Sequence, residues 1–80
     1  MLKNLWKNLA KKLKKKPGFP KESVVDLRYK LIKEELDEFE EAIKNQDLKE
    51  IADSLTDILY VTYGAGHAFG IDLDKCYFQN

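Results

Sequence analysis

The sequence predicts an all-α protein: an antiparallel helical hairpin core, an amphipathic N-terminal helix before it and a short C-terminal helix after it. Three observations carry that expectation. Apolar residues recur at intervals of three and four through residues 2–16, 23–44 and 47–69, the period of a helical face. Alternation with a period of two is absent, so no strand is expected. Helix-capping and helix-breaking residues stand where those stretches would start and stop.

In the first stretch, Leu2, Leu5, Trp6, Leu9 and Leu13 share one face, and Lys3, Lys7, Lys11, Lys14 and Lys15 fall around the rest. This makes residues 1–16 a basic amphipathic helix. Pro17-Gly18-Phe19-Pro20 ends it, because proline donates no amide hydrogen and drives its predecessor out of the α region. A linker is expected over 17–22.

The second helix is expected over 23–44. Ser23 is its natural N-cap, with Asp26 three residues on as the capping-box acid. Its apolar stripe is Val24, Leu27, Leu31, Ile32, Leu36, Phe39, Ala42 and Ile43. After the short connection Asn45-Gln46, Asp47 caps a third helix with Glu50 in the capping-box position, and that helix runs to residue 69. Small residues from Gly64 to Ala68 allow close helix contact, and Gly70 is placed to stop the helix in the left-handed region. Asp72 caps a last helix over 72–80. Tyr60 and Tyr63 are expected to pack with their hydroxyls at the rim, His67 to be a structural histidine, and Cys76 a buried thiol.

Eighty residues make one domain, 1–80, with a small core. A two-residue connection makes the long helices antiparallel neighbours. Their apolar stripes are wider than one helix can cover, so a four-helix unit completed by oligomerisation is expected, as a homodimer or a dimer of dimers.

The formal net charge is zero, but it is divided along the chain. Residues 1–33 hold 11 Lys and Arg against 2 acids, and residues 34–80 hold 3 against 12. Either the halves fold against each other or each faces a different partner. Packing of the basic helix against the acidic hairpin is the favoured reading. Contact with an anionic membrane or with nucleic-acid phosphate is the weaker alternative. No apolar run reaches the length of a membrane span, and lysines interrupt any secretory h-region. The single cysteine cannot close a disulfide within the chain, which fits a reducing, cytoplasmic setting.

The acids are not scattered. Glu34 and Glu38 are four apart and Glu35 and Glu38 three apart, so each pair shares a helical face. Glu35 and Glu38 follow the stripe through Leu31 and Ala42. Asp53 and Asp57 are four apart between Ile51, Ala52, Leu55 and Ile58. An antiparallel hairpin brings Glu35 and Glu38 opposite Asp53 and Asp57. Carboxylates gathered at the margin of a core are costly unless a cation joins them. Hard oxygen donors select Mg2+, with Mn2+ possible. Asp37, Glu40 and Glu41 read instead as a solvated face.

Lys33-Glu34-Glu35-Leu36-Asp37-Glu38-Phe39 resembles the EExxE motif of the MazG-like nucleoside triphosphate pyrophosphohydrolases, an all-α superfamily that includes dimeric dUTPases and phosphoribosyl-ATP pyrophosphohydrolase. Asp53-Ser54-Leu55-Thr56-Asp57-Ile58-Leu59-Tyr60-Val61-Thr62-Tyr63-Gly64 resembles the second metal helix of that superfamily. The run from Ala65 to Gly70-Ile71-Asp72-Leu73 is similar to its phage and bacterial branch. The resemblance covers about residues 19–78.

The resemblance implies Mg2+-dependent hydrolysis of a nucleoside triphosphate to the monophosphate and pyrophosphate. It implies Glu35, Glu38 and Asp57 as metal ligands, and Glu34 as a ligand for a further ion or the group that orients the attacking water. Ser54 stands where the second motif carries Glu, so Glu50 or Asp53 is left to supply the missing ligand. Relatives carry a further helix with polar and basic residues for the phosphates, and the sequence given stops at Asn80. Arg28 and Lys33, with the lysines of residues 1–16, are the positive groups for the departing pyrophosphate. The competing expectations are a non-catalytic interaction or regulatory module that keeps the fold, or a membrane-associated helical protein.

Overall fold

The computed structural model describes residues 17–78, so the basic helix expected over 1–16 and the last two residues lie outside the described part. Three helices follow one another: α1 (Glu22–Lys44), α2 (Leu48–Ala68) and α3 (Leu73–Phe78). The two long ones lie against each other as an antiparallel pair.

α1 starts earlier than the hydroxyl-cap rule places it. Its N-cap is Lys21, at φ −54° and ψ 149°, with no side-chain cap. The Lys21 carbonyl accepts from the amides of Val24 (2.9 Å) and Val25 (3.0 Å). Ser23 is therefore inside the first turn, not at the cap. Lys21 is still extended, the helix begins at the next residue, and Glu22 meets the positive end of the helix dipole.

The hairpin turn is held by two backbone bonds. Gln46 donates to the Ile43 carbonyl (3.0 Å) and Asp47 to the Ala42 carbonyl (3.1 Å), the Schellman pattern. That pattern needs a left-handed residue, and here Gln46 occupies it at φ 52°. Gln46→Gly is expected to stabilise the fold by about 0.5–1 kcal/mol, because glycine carries no side-chain penalty in that region. A shift of the urea midpoint at constant m-value measures it.

Asp47 caps α2, its Oδ1 accepting from the Glu50 amide at 3.2 Å. The amide of Asp47 is already bonded to Ala42, so the Glu50 side chain is not needed as the return half of a capping box. The far end of α2 closes with a second Schellman turn. Ile71 donates to Gly66 (2.8 Å) and Gly70 to His67 (3.0 Å), with Gly70 at φ 74°. Asp72 then caps α3 through the Lys75 amide (3.0 Å). The Tyr63 hydroxyl donates to Asp74 at 2.5 Å, and this bond holds the phenol proton above its usual range. The linker is fastened at the same end. Gly18 donates to the Phe69 carbonyl at 3.1 Å, and the rings of Phe19 and Phe69 meet edge to face at 5.4 Å.

The described core is thin: Ala42, Val61 and Cys76 are its buried apolar residues. The two long helices form a single layer with unlike sides. At 100° per residue, Val25, Ile32, Leu36, Phe39 and Ile43 of α1 share a side with Ile51, Leu55, Ile58 and Leu59 of α2. Leu36, Ile43, Leu55 and Leu59 are exposed there, Leu59 by 61%. The opposite side holds Glu34, Glu38, Asp53, Tyr60 and His67. Tyr60 is 80% exposed and His67 is exposed. Neither packs as expected, because both fall on this polar side, seven residues apart. Cys76 is a buried free thiol. Among the described residues no helix is long and apolar enough to cross a membrane.

Candidate functional site

Small side chains at the seam between α1 and α2 set the site. Ala42 and Ser54 are each 3% exposed, and their size lets the helices approach closely enough for acids on both to meet. Glu35 and Glu38 are one turn apart on α1, and Asp57 reaches toward them from α2. One carboxylate oxygen from each of the three lies within 4.8 Å of the other two.

Like charges at that spacing repel. Glu35 feels this most. Its carboxyl is held above the ordinary value of 4.5, first by loss of solvent and then by the charges of Glu38, Asp57 and Glu34. Its Oε1 is buried and has no hydrogen-bond partner among the described residues. Oxygen donors from three acids, one with an orphaned buried oxygen, fit a hard divalent cation such as Mg2+, which would satisfy the oxygen and cancel the repulsion. Nitrogen and sulfur donors are absent from the cluster, so the donor set does not favour softer metals.

The sign of the pH effect follows. Between pH 4.5 and the raised value the folded chain holds the Glu35 proton more tightly than the unfolded chain does. The metal-free protein therefore keeps this stabilising contribution below the ordinary carboxylate range and loses it as pH rises through the raised range. Divalent affinity is expected to run the other way, falling on acidification through that range as protons compete for Glu35. Melting curves at several pH values, with and without Mn2+, check both slopes. Glu35→Gln is expected to flatten the metal-free one.

The other acids expected at the site stand outside this group of three. Glu34 is exposed but close enough for its charge to act on Glu35. Asp53 is exposed on α2, one turn before Asp57. Glu50 lines a hollow beside the hairpin turn with Glu38, Glu41, Ala42 and Asn45. Ser54, at the position where the motif would carry Glu, is buried in the seam.

The two cations expected to meet phosphate part company. Lys33 leans toward Asp37 on the solvent face of α1, Nζ to Oδ1 3.9 Å. Arg28 lies on the seam, two turns before Glu35, and its Nε is buried with no hydrogen-bond partner among the described residues. Its guanidinium covers Gly64: a Cβ built on Gly64 would stand 2.6 Å from one terminal nitrogen. Sequence reasoning missed this role of Gly64. The signal was present, since Gly64 follows Asp57 by the seven residues that separate Arg28 from Glu35.

A family model described as phosphoribosyl-ATP pyrophosphohydrolase matches residues 2–79. An uncharacterized protein of Acanthamoeba polyphaga mimivirus is 56% identical over 50 residues, which are 62% of this chain and 20% of that protein. The chain thus spans about a fifth of the length of that relative. No solved structure matches the chain.

Proposed function

The chain belongs to the phosphoribosyl-ATP pyrophosphohydrolase family, within the MazG-like superfamily, and from that premise we propose that it hydrolyses a nucleoside triphosphate between its α and β phosphorus atoms, releasing the monophosphate and pyrophosphate. The observation that carries the reading is the convergence of Glu35, Glu38 and Asp57 at the helical seam. Family membership and an acidic cluster able to hold a divalent cation support a pyrophosphohydrolase-type reaction in general; the substrate and the bond cleaved are the proposal.

Glu35, Glu38 and Asp57 would hold a first Mg2+, with Asp53 completing its ligands. Glu34 would be a ligand of a second ion or orient the water for attack, and Glu50, which shares a hollow with Glu38, is the other candidate for the second ion. Held by these residues, a divalent ion would neutralise charge on the phosphate oxygens and make a water more acidic. The chain's own contribution is to fix the acids on two rigid helices, so that their repulsion is stored before the ion and substrate arrive. Of the two cations expected to serve the departing pyrophosphate, Arg28 has the better position, because Lys33 is directed to the outer face of α1.

The exposed apolar side of the hairpin supports a homodimer or dimer of dimers, in which a four-helix unit forms between chains. Sedimentation at micromolar concentration is expected to give twice or four times the chain mass.

The experiment for the activity is a panel of canonical and modified nucleoside triphosphates with Mg2+ or Mn2+, scored for pyrophosphate. Release that needs the divalent ion supports the enzyme reading. No pyrophosphate release from any of them, together with no stabilisation by the divalent ion, would leave a helical module that keeps the fold without the chemistry.

A further inference from the structure

We propose that Arg28, seated on Gly64, forms the pyrophosphate-binding end of the site, and that Gly64 is a positioning residue whose missing side chain makes room for the guanidinium. The inference rests on the metal-dependent reading above and assigns Gly64 a role which that reading does not contain.

An arginine side chain has five N–H donors and no acceptor. The Nε of Arg28 is buried, yet no acceptor among the described residues meets it. Removing such a donor from water without a partner is unfavourable, so an acceptor that reaches this position would be held strongly.

Its surroundings identify the acceptor. Helix α2 carries Gly64 in its interior, where alanine would be the better helix former. The space that a Cβ would use is taken by the Arg28 guanidinium, 2.6 Å away at one terminal nitrogen and 3.6 Å at the central carbon. The glycine thus gives up helix propensity and gains a place for a cation on the seam. Arg28 is seven residues from Glu35, and Gly64 seven from Asp57. The cation therefore lies two turns from the acids, roughly 10 Å along the helix axis. That distance suits a ligand with negative charge at both ends of a chain of phosphates, one end at the acids through a divalent ion and the other at Arg28. A planar guanidinium recognises phosphate oxygens in pairs.

The test uses the full chain and two variants, Arg28→Lys and Gly64→Ala, with their combination. Three quantities are read: melting temperature, Mn2+ affinity, and affinity for inorganic pyrophosphate in the presence of Mn2+. Gly64→Ala is expected to melt at or above the wild-type temperature, because alanine favours the helix and the guanidinium is the flexible end of a side chain. Its Mn2+ affinity is expected to stay within about twofold. Its pyrophosphate affinity is expected to fall about 10- to 100-fold, the range for a lost hydrogen bond to a charged group. Arg28→Lys is expected to lose a similar factor, since an ammonium cannot pair bidentately. The double variant is expected to be no weaker than the weaker single one, because Gly64 acts through Arg28.

Unchanged pyrophosphate affinity in Gly64→Ala would overturn the proposal while leaving the metal site intact. So would an additive loss in the double variant. If the wild-type chain binds neither Mn2+ nor pyrophosphate, the metal-dependent reading and this proposal fall together.

Discussion

Asp57→Ala and Glu38→Ala are each expected to abolish the Mn2+-induced rise in melting temperature and to lower turnover at least about 100-fold. Loss of an outer partner of a metal ligand already costs about 10- to 100-fold, and these side chains supply two of the three converging oxygens. A bound ion stabilises the folded chain by mass action, so a variant that cannot hold it has nothing to gain from added metal. The metal-free chain should respond with the opposite sign. Removing Asp57 or Glu38 relieves the repulsion that raises the Glu35 carboxyl, so the metal-free variants should melt at or above the wild-type temperature. A structural defect would lower melting with and without metal, whereas a lost ligand abolishes the gain from metal without lowering metal-free melting. Glu40→Ala is the appropriate control, being exposed on α1 outside the group of three. Glu41 is a poorer control, because it lines the hollow shared by Glu38 and Glu50.

Leu36→Lys and Leu55→Lys are each expected to shift the protein to monomer and to lower its melting temperature. Both leucines lie near the middle of the apolar side of the hairpin, 55% and 45% exposed. With Leu59 and Ile43 they make a continuous face that a single layer of two helices leaves open to water. A partner's face can bury only the exposed half of each leucine, which contributes about 1 kcal/mol, and a lysine at the centre of such a face adds the larger cost of a desolvated charge. Two copies of each substitution enter a symmetric interface, so the effect is doubled. Leu48→Lys, at an 80% exposed position beside the turn, should change the association much less. Sedimentation velocity over a concentration series distinguishes these outcomes. A wild-type chain that stays monomeric throughout would remove the basis for the dimer.

Much of this fold is legible in the sequence itself. The helices of the hairpin are written in a strong apolar period, and Asp47, Gly70 and Asp72 are residues whose side-chain chemistry or backbone freedom serves one purpose at a helix end. The start of α1 was less legible, because two signals compete there. Ser23 invites a cap, but the extended Lys21 takes that place two residues earlier without a side-chain bond. Tyr60 and His67 were misjudged for a related reason. Their neighbours Leu59 and Ala68 suggest a packed helix, yet a 100° step turns each of them to the polar side.

The site was legible in its acids and less so in its register. Spacing along one helix selects Glu35 with Glu38, but only the pairing of the two helices separates Asp57 from Asp53. The family resemblance favoured Asp57, and the seam brings it to the other two. Arg28 and Gly64 belong to the part that no single helix reveals. A lone arginine in an amphipathic helix is usually a surface residue, and an interior glycine usually marks close packing. Their joint meaning appears when the register places one over the other.

The most direct test of the central claim is a phosphorus-31 spectrum of the products formed from a nucleoside triphosphate with the full chain and Mg2+. Nucleoside monophosphate and pyrophosphate are expected in equal amounts, formed only while the divalent ion is present. Nucleoside diphosphate and orthophosphate, or the same rate after chelation of the metal, would contradict it.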